Sequence, residues 1–236
     1  MYIYPKIKII DLSLYLEDYQ TLIIGDVHLG FEESLNVKGV LIPRFHFEDL
    51  KERLKKILSS VSIQRIVLNG DLKHEFGTIL RSEWKHTLQF IDFLKKYVDE
   101  IILLEGNHDK ILEPLARRRN LDLLEEYSLG DIFICHGDFI PESVSFTKSK
   151  FVIIGHEHPA ITLKHGRKSE TYKCFLKGGW KDKTLVVMPS FLLMRPGTNV
   201  LEKEFLSPFL KQGVQNFNVY VVGEVEVLDF GEVKNL

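Results

Sequence analysis

Five short apolar runs in this chain each end in a cluster of glycine, aspartate, asparagine or histidine, and this recurrence restricts the fold more than any other feature. Thr21-Leu22-Ile23-Ile24 runs into Gly25-Asp26-Val27-His28, and Ile66-Val67-Leu68 into Asn69-Gly70-Asp71. Ile101-Ile102-Leu103-Leu104 runs into Glu105-Gly106-Asn107-His108-Asp109. Ile132-Phe133-Ile134-Cys135 leads to His136-Gly137-Asp138, and Phe151-Val152-Ile153-Ile154 to Gly155-His156-Glu157-His158. Runs this short, bounded by turn residues, predict buried strands. Between the first three, Phe47, Leu50, Leu54, Ile57 and Leu58 share one helical face, and Trp84, Leu88, Ile91 and Leu94 share another. Strand, helix, strand, helix, strand predicts an α/β fold with a largely parallel sheet.

After His158 the pattern changes. Runs at 185–188, 219–222 and 224–228 follow without intervening helices, which predicts a second, antiparallel or mixed sheet packed on the first. The polar, basic segment 161–183 reads as a hairpin or long loop, and the residues after Phe230 are expected to fray. Its 236 residues suit one domain spanning 1–236, and with 44% hydrophobic and 27% charged residues the composition is that of an ordinary soluble protein. A formal net charge of -2 excludes a global basic field, though bound cations could still supply positive charge locally. Two cysteines, Cys135 and Cys174, lie in apolar surroundings, which argues against a disulfide framework. The N-terminus lacks a basic stretch followed by an apolar core, and no apolar run reaches the roughly 20 residues of a membrane span. A cytoplasmic location is expected, with no membrane partner.

In open α/β sheets, ligands bind where the C-terminal ends of strands converge. Asp26, His28, Asp71, Asn107, His136, His156 and His158 are therefore candidates for one crevice. Carboxylate, imidazole and amide oxygen, with no thiolate, suit manganese, iron or zinc rather than a structural cysteine–zinc site. Seven donors are too many for one ion and suit two ions sharing a carboxylate, for which Asp71 is the candidate bridge. Any one string is weak, because Gly-Asp is commonly a turn and a single histidine at a strand end is commonly structural. All of them in order, each just after a predicted strand, are not a coincidence.

The ordered set Asp26-X-His28, Gly70-Asp71, Gly106-Asn107-His108-Asp109, His136 and Gly155-His156-X-His158 resembles the calcineurin-like metallophosphoesterase superfamily. The resemblance covers about residues 21–160. It implies a four-layer αββα sandwich, with Asp26, His28, Asp71 and His158 on one cation and Asp71, Asn107, His136 and His156 on the other. Manganese is the first expectation, with iron, zinc, nickel or cobalt as alternatives. Two cations about 3.5–4 Å apart can trap a bridging hydroxide and clamp phosphoryl oxygens during in-line displacement. By the same resemblance His108 faces the leaving oxygen, and Asp109 is expected to orient the His108 ring and favour its protonated form.

Protein phosphatases of the superfamily continue from Gly-Asp into Asp-Arg-Gly, whereas this chain reads Gly70-Asp71-Leu72-Lys73-His74. That string resembles SbcD-type DNA repair nucleases, and Gly155-His156-Glu157-His158-Pro159 is similar to a compact related branch in archaea and bacteria. Some bacterial members of that branch are associated with DNA ligase or helicase genes, so DNA-repair proteins are candidate partners. His74 is a candidate substrate contact, with Lys73 and Arg44 behind it. The basic residues of 164–183, interleaved with Tyr172, Phe175 and Trp180, suit either a single-stranded nucleic-acid track or a solvated hairpin with its aromatics in the core. The leading expectation is a phosphodiesterase or nuclease acting on DNA or RNA. A hydrolase of nucleotides or other small phosphate esters is the alternative, and a non-catalytic scaffold is the third.

Overall fold

The structure is a computed structural model that describes residues 1–42, 45–76, 81–166, 168–202 and 204–236, without the side chain of His165. Arg44 lies outside the described residues. Seven strands form the first sheet in sequence order: β1 (Tyr2–Tyr4), β2 (Ile7–Ile10), β3 (Ser13–Leu16), β4 (Thr21–Gly25), β5 (Arg65–Asn69), β6 (Glu100–Leu104) and β7 (Leu123–Leu124). The pairs β4–β5, β5–β6 and β6–β7 are parallel, as the strand–helix alternation predicts. Their crossovers carry α1 (Phe31–Val37), α2 (His46–Leu58), α3 (Arg81–Leu94) and α4 (Glu113–Arg117). The register sets Gly25, Asn69 and Leu104 abreast, so three loops leave the sheet at one level.

The second sheet is mixed. Its path runs β14 (Thr198–Asn199), β11 (Pro159–His165), β12 (Lys168–Trp180), β13 (Lys183–Val187), β10 (Phe151–Ile154), β9 (Ile132–Cys135) and β8 (Glu126–Leu129). Off this path β15 (Asn218–Val222) pairs with β12, and β16 (Val227–Glu232) with β15. Strands β9, β10 and β13 are parallel, so their C-terminal ends also share one rim.

Alternation along these strands builds two cores. Ile134, Ile153 and Val186 face the first sheet and join Ile23, Val67 and Leu103 in the central core. Phe133, Val152, Ile154, Leu185 and Val187 point the other way. They pack under α5 (Val144–Lys148), the 3-10 turn Pro208–Leu210 and the segment around Val214 and Phe217. Each such side chain contributes about 1.5–3 kcal/mol on burial. The order is helices, sheet, sheet and a thin outer layer of one short helix and loops, which is the expected αββα sandwich. Cys135 and Cys174 are free thiols in the outer core.

Helix α2 buries the expected face: Phe47, Leu50, Leu54, Ile57 and Leu58. Glu48 and Asp49 in its first turn, with Lys55 and Lys56 in its last, complement the helix dipole. Helix α3 buries the expected Ile91 and Leu94 and packs Trp84 and Leu88 against the core, but its buried face is wider than expected. It buries Glu83, Thr87, Phe90, Ile91, Phe93 and Leu94, while Trp84 is half-buried under the Arg118 guanidinium. Arg117 ends α4 and Arg118 caps it, and Arg119 makes a two-pronged pair with Asp92.

Segment 161–183 is largely the β11–β12 hairpin, with Phe175 and Trp180 buried in the outer core. Two of its lysines are engaged by backbone. Lys177 Nζ donates to the Ile3 carbonyl, and Lys183 Nζ to those of Thr147 and Ser149. The chain end corrects the fraying expectation. Val233 is buried and its N–H donates to the Phe217 carbonyl, as Lys234 N–H does to that of Gln215.

Candidate metal centre

The loops after the parallel strands continue the sheets' hydrogen bonding, and this is what fixes the site. Asp26 N–H donates to the Gly70 carbonyl and His28 N–H to that of Asp71, so the first two loops run side by side. In the second sheet Gly155 N–H donates to the His136 carbonyl. The sheets are joined at the rim by His156 N–H, which donates to the Asp26 carboxylate at 3.2 Å, and by Leu192 N–H, which donates to the Asp26 carbonyl.

The backbone here is strained. Asp26, His28, Asp71, His156 and His158 all have positive φ, between 47° and 65°, a region that side chains other than glycine seldom enter. Such conformations cost about 1–3 kcal/mol each and persist where the surroundings over-determine them. Two glycines give the room this needs. A Cβ on Gly106 would stand 2.2 Å from Asp71 Oδ1, and one on Gly155 would stand 2.3 Å from Asp26 Oδ2.

All seven predicted donors converge, in two sets. Asp26, His28, Asp71 and His158 offer atoms within 4.8 Å of one another, as do Asp71, His136 and His156. Asp71 belongs to both sets. Asn107 completes the second, its Oδ1 lying 3.0 Å from both His136 Nε2 and His156 Nδ1. The rings aim nitrogens at common points: His28 Nε2 is 3.3 Å from His158 Nε2, and His156 Nδ1 is 3.2 Å from His136 Nε2. Imidazoles crowded nitrogen to nitrogen around two buried carboxylates suit cations that take their lone pairs.

The electrostatics agree. Burial would push the Asp71 carboxyl up, but His136, His28 and His108 outweigh it and hold it well below the usual range. Asp26 is also lowered, burial being outweighed by His158 and His136. Burial drives His28 far down, and His156 down as well. His136 is the exception, since contact with Asp71 and Asp26 overrides its burial and pushes it up to about 10. One imidazole thus carries the positive charge that the two carboxylates demand. Ligation requires neutral imidazole, so a divalent cation would take over that charge and release the proton. The donor set fits two divalent cations.

Around this cluster the structure revises two expectations. Asp109 does not touch the His108 ring. It is fully buried and accepts the N–H groups of Leu72, Lys73 and Gly106, pinning the loop after β5 to the loop after β6. Burial pushes it up to about 7. The His108 ring is held instead by its Nδ1–H, which donates to the His74 carbonyl. Its Nε2 is left 3.7 Å from Asp71 Oδ2. Lys73 is fully buried here, with its Nζ donating to the Glu75 carbonyl rather than open to a substrate.

His74 does lie at the site. Its Nδ1 is 3.5 Å from His28 Nδ1, and its ring is stacked near that of His108. Burial lowers it to about 4. Two residues escaped the sequence reading. Buried Glu83 accepts the N–H groups of His74 and Glu75 at 2.6 and 2.9 Å, and exposed Phe76 lies against the His108 ring. An acid on the inner face of α3 was the available signal for Glu83. Phe76 had none.

Comparisons with known proteins bear on the fold and on the family. Over 92% of both chains the fold is similar to the Pseudomonas putida nuclease MPE, at 20% sequence identity and a TM-score of 0.64. A looser likeness links it to Yfce, a phosphoesterase from E. coli, at 13% identity over 90% of this chain and 98% of that one, with a TM-score of 0.41. No curated protein matches the chain. The calcineurin-like phosphoesterase family matches residues 19–191, a span that contains all seven donors and His108. The chain belongs to the calcineurin-like phosphoesterase family.

Proposed function

We propose that this protein is a phosphodiesterase acting on nucleic acid, using two divalent cations of which manganese is the first candidate. Asp26, His28, Asp71 and His158 would hold one cation, and Asp71, Asn107, His136 and His156 the other. The observation that carries this reading is the sharing of Asp71 between two complete donor sets. When bound, the cations supply Lewis acidity and a water activated near neutral pH. The chain's own groups do the rest. Asp71 and Asp26 fix the charge of the centre. The His74 carbonyl orients the His108 ring, and Nε2 of that ring, on the open side of Asp71, is placed to give a proton to the leaving oxygen. His74, beside His28 and His108, forms the wall a phosphodiester would meet next.

Support for nucleic acid comes from the Gly70-Asp71-Leu72-Lys73-His74 string, which resembles that of SbcD-type nucleases, and from the nuclease among the structures of similar fold. A hydrolase of nucleotides or small esters has one observation in its favour, because several basic residues of 164–183 are engaged within the fold rather than lined up as a track. A panel of metals against substrates separates the two. It pairs manganese, iron, zinc, nickel or cobalt with p-nitrophenyl phosphate, bis(p-nitrophenyl) phosphate, mononucleotides, single- and double-stranded DNA and RNA. Metal-dependent oligonucleotide cleavage, with a Kd that weakens steeply as salt rises, is the expected result. Turnover confined to monoesters and mononucleotides would overturn it.

A further inference from the structure

The loop between Phe191 and Thr198 crosses the rim beside His28 and His74, and its ends are fastened to residues of the site. Leu192 N–H donates to the Asp26 carbonyl at 3.1 Å, and Thr198 N–H to the His158 carbonyl at 2.8 Å. Gly197, at φ 118°, is required there, since a Cβ would stand 1.9 Å from the same His158 carbonyl. Between these anchors Met194, Arg195 and Pro196 are exposed. The Arg195 guanidinium lies over the Phe31 ring, 5.2 Å from its centre. Phe31 in turn meets His74 edge-on at 4.9 Å, and His74 adjoins His28.

Other cations near the rim are engaged. Lys73 Nζ donates to the Glu75 carbonyl, Lys173 Nζ to Ser190 Oγ, and Lys38 pairs with Glu75. Among the described residues no carboxylate pairs with Arg195. Its planar fork is thus oriented by an aromatic face and free to bind. It stands at a fixed place beside a centre whose formal substrate is an anion.

Two rings separate the guanidinium from His28, so it does not reach the phosphorus held between the two donor sets. We infer that Arg195 binds the phosphate adjacent to the scissile one, and so selects substrates that carry a second phosphate along a chain. A guanidinium matches two non-bridging phosphate oxygens at once, which an ammonium does not. This rests on the nucleic-acid reading above and sharpens it, because a simple diester with one phosphorus gains nothing from the contact.

The test compares kcat/KM for an oligonucleotide with kcat/KM for bis(p-nitrophenyl) phosphate, in wild type, Arg195→Ala and Arg195→Lys under one metal. For Arg195→Ala the ratio of the two should fall roughly tenfold, as expected for loss of a charge-assisted hydrogen bond. The slope of log KM against log salt should shrink by about one contact's worth. Arg195→Lys should restore part of the ratio. Wild type that cleaves both substrates, with the ratio unchanged in Arg195→Ala, would overturn the clamp and leave the nucleic-acid reading standing. Wild type that cleaves no oligonucleotide would remove that reading, and the clamp with it.

Discussion

The two sheets bring different chemistry to the shared rim. The first contributes both carboxylates, Asp26 and Asp71, together with His28 and the Asn107 amide. The second contributes imidazoles alone, from His136, His156 and His158. The negative charge of the centre therefore comes from one half of the molecule, and most of the neutral donors from the other. Charge binds a cation from afar, whereas an imidazole acts only at bonding distance. The division predicts that loss of a first-sheet carboxylate, Asp71 above all, is felt by both cations and loss of a second-sheet imidazole by one.

The sharpest way to break that comparison is to remove the shared charge. Asp71→Asn should lose both cations, and activity should drop on the order of 10⁴-fold or more, since each cation stabilises the transition state by several kcal/mol. His156→Ala should lose one cation and keep the other. Elemental analysis of the purified variants reads both outcomes. Equal loss of both cations from the two variants would erase the difference between the sheets.

His108 sharpens the comparison from the side of chemistry rather than binding. It comes from the first sheet and its Nε2 lies 3.7 Å from Asp71 Oδ2, while its Nδ1–H is fastened to the His74 carbonyl. His108→Ala should retain two cations per chain and lose about 10²–10⁴-fold in kcat, the usual worth of a positioned acid. Loss of metal in that variant would mean that His108 belongs to the donor set.

The same asymmetry decides what was legible in the sequence. Donor positions could be read because parallel strands end level, so a residue one to four places past an apolar run must lie on the rim. Strands β1 to β3 were not anticipated. They are only three or four residues long, and their turns use Lys6 and Asp11 at positive φ where glycine or asparagine would have given a signal. Neither side-chain direction nor burial after the donors follows from spacing. Asp109 and His108 are neighbours, yet one turns into the backbone and the other toward the site. Lys73 is a lysine and is nevertheless buried, its backbone paired with Leu29 and its Nζ donating to the Glu75 carbonyl. Arg195 lies in a loop whose approach to the rim depends on hydrogen bonds to Asp26 and His158 that no local pattern encodes.

Stability offers a gentler probe of the same division. Crowded imidazoles and buried carboxylates favour the cation-bound form, so chelation should lower the melting temperature. A cation held at about 100 times its Kd adds about 2.7 kcal/mol, and a chain of this length shifts by roughly 2–4 °C per kcal/mol. A fall of about 5–10 °C for each cation removed is expected on adding a chelator, recovered by manganese. Asp71→Asn should show almost none of that response. A wild-type protein whose melting ignored both chelator and metal would place no cation at the rim.

The smallest effect is expected at Lys73, which separates a residue beside the site in sequence from one beside it in space. Lys73→Met keeps most of the side-chain volume and removes only the hydrogen bond to the Glu75 carbonyl. That should cost about 1 kcal/mol of stability, the typical net worth of one such bond. Because the side chain is sealed from solvent, kcat/KM for an oligonucleotide should stay within about threefold of wild type, well short of a factor of ten per 1.4 kcal/mol lost from the transition state. The salt slope should also be unchanged, in contrast to Arg195→Ala, since no phosphate contact is removed. A Lys73→Met enzyme with a weakened oligonucleotide KM and a reduced salt slope would show that the loop opens to expose the amine when substrate binds. The rim would then have to be redrawn with Lys73 and Arg195 on opposite sides of the strand.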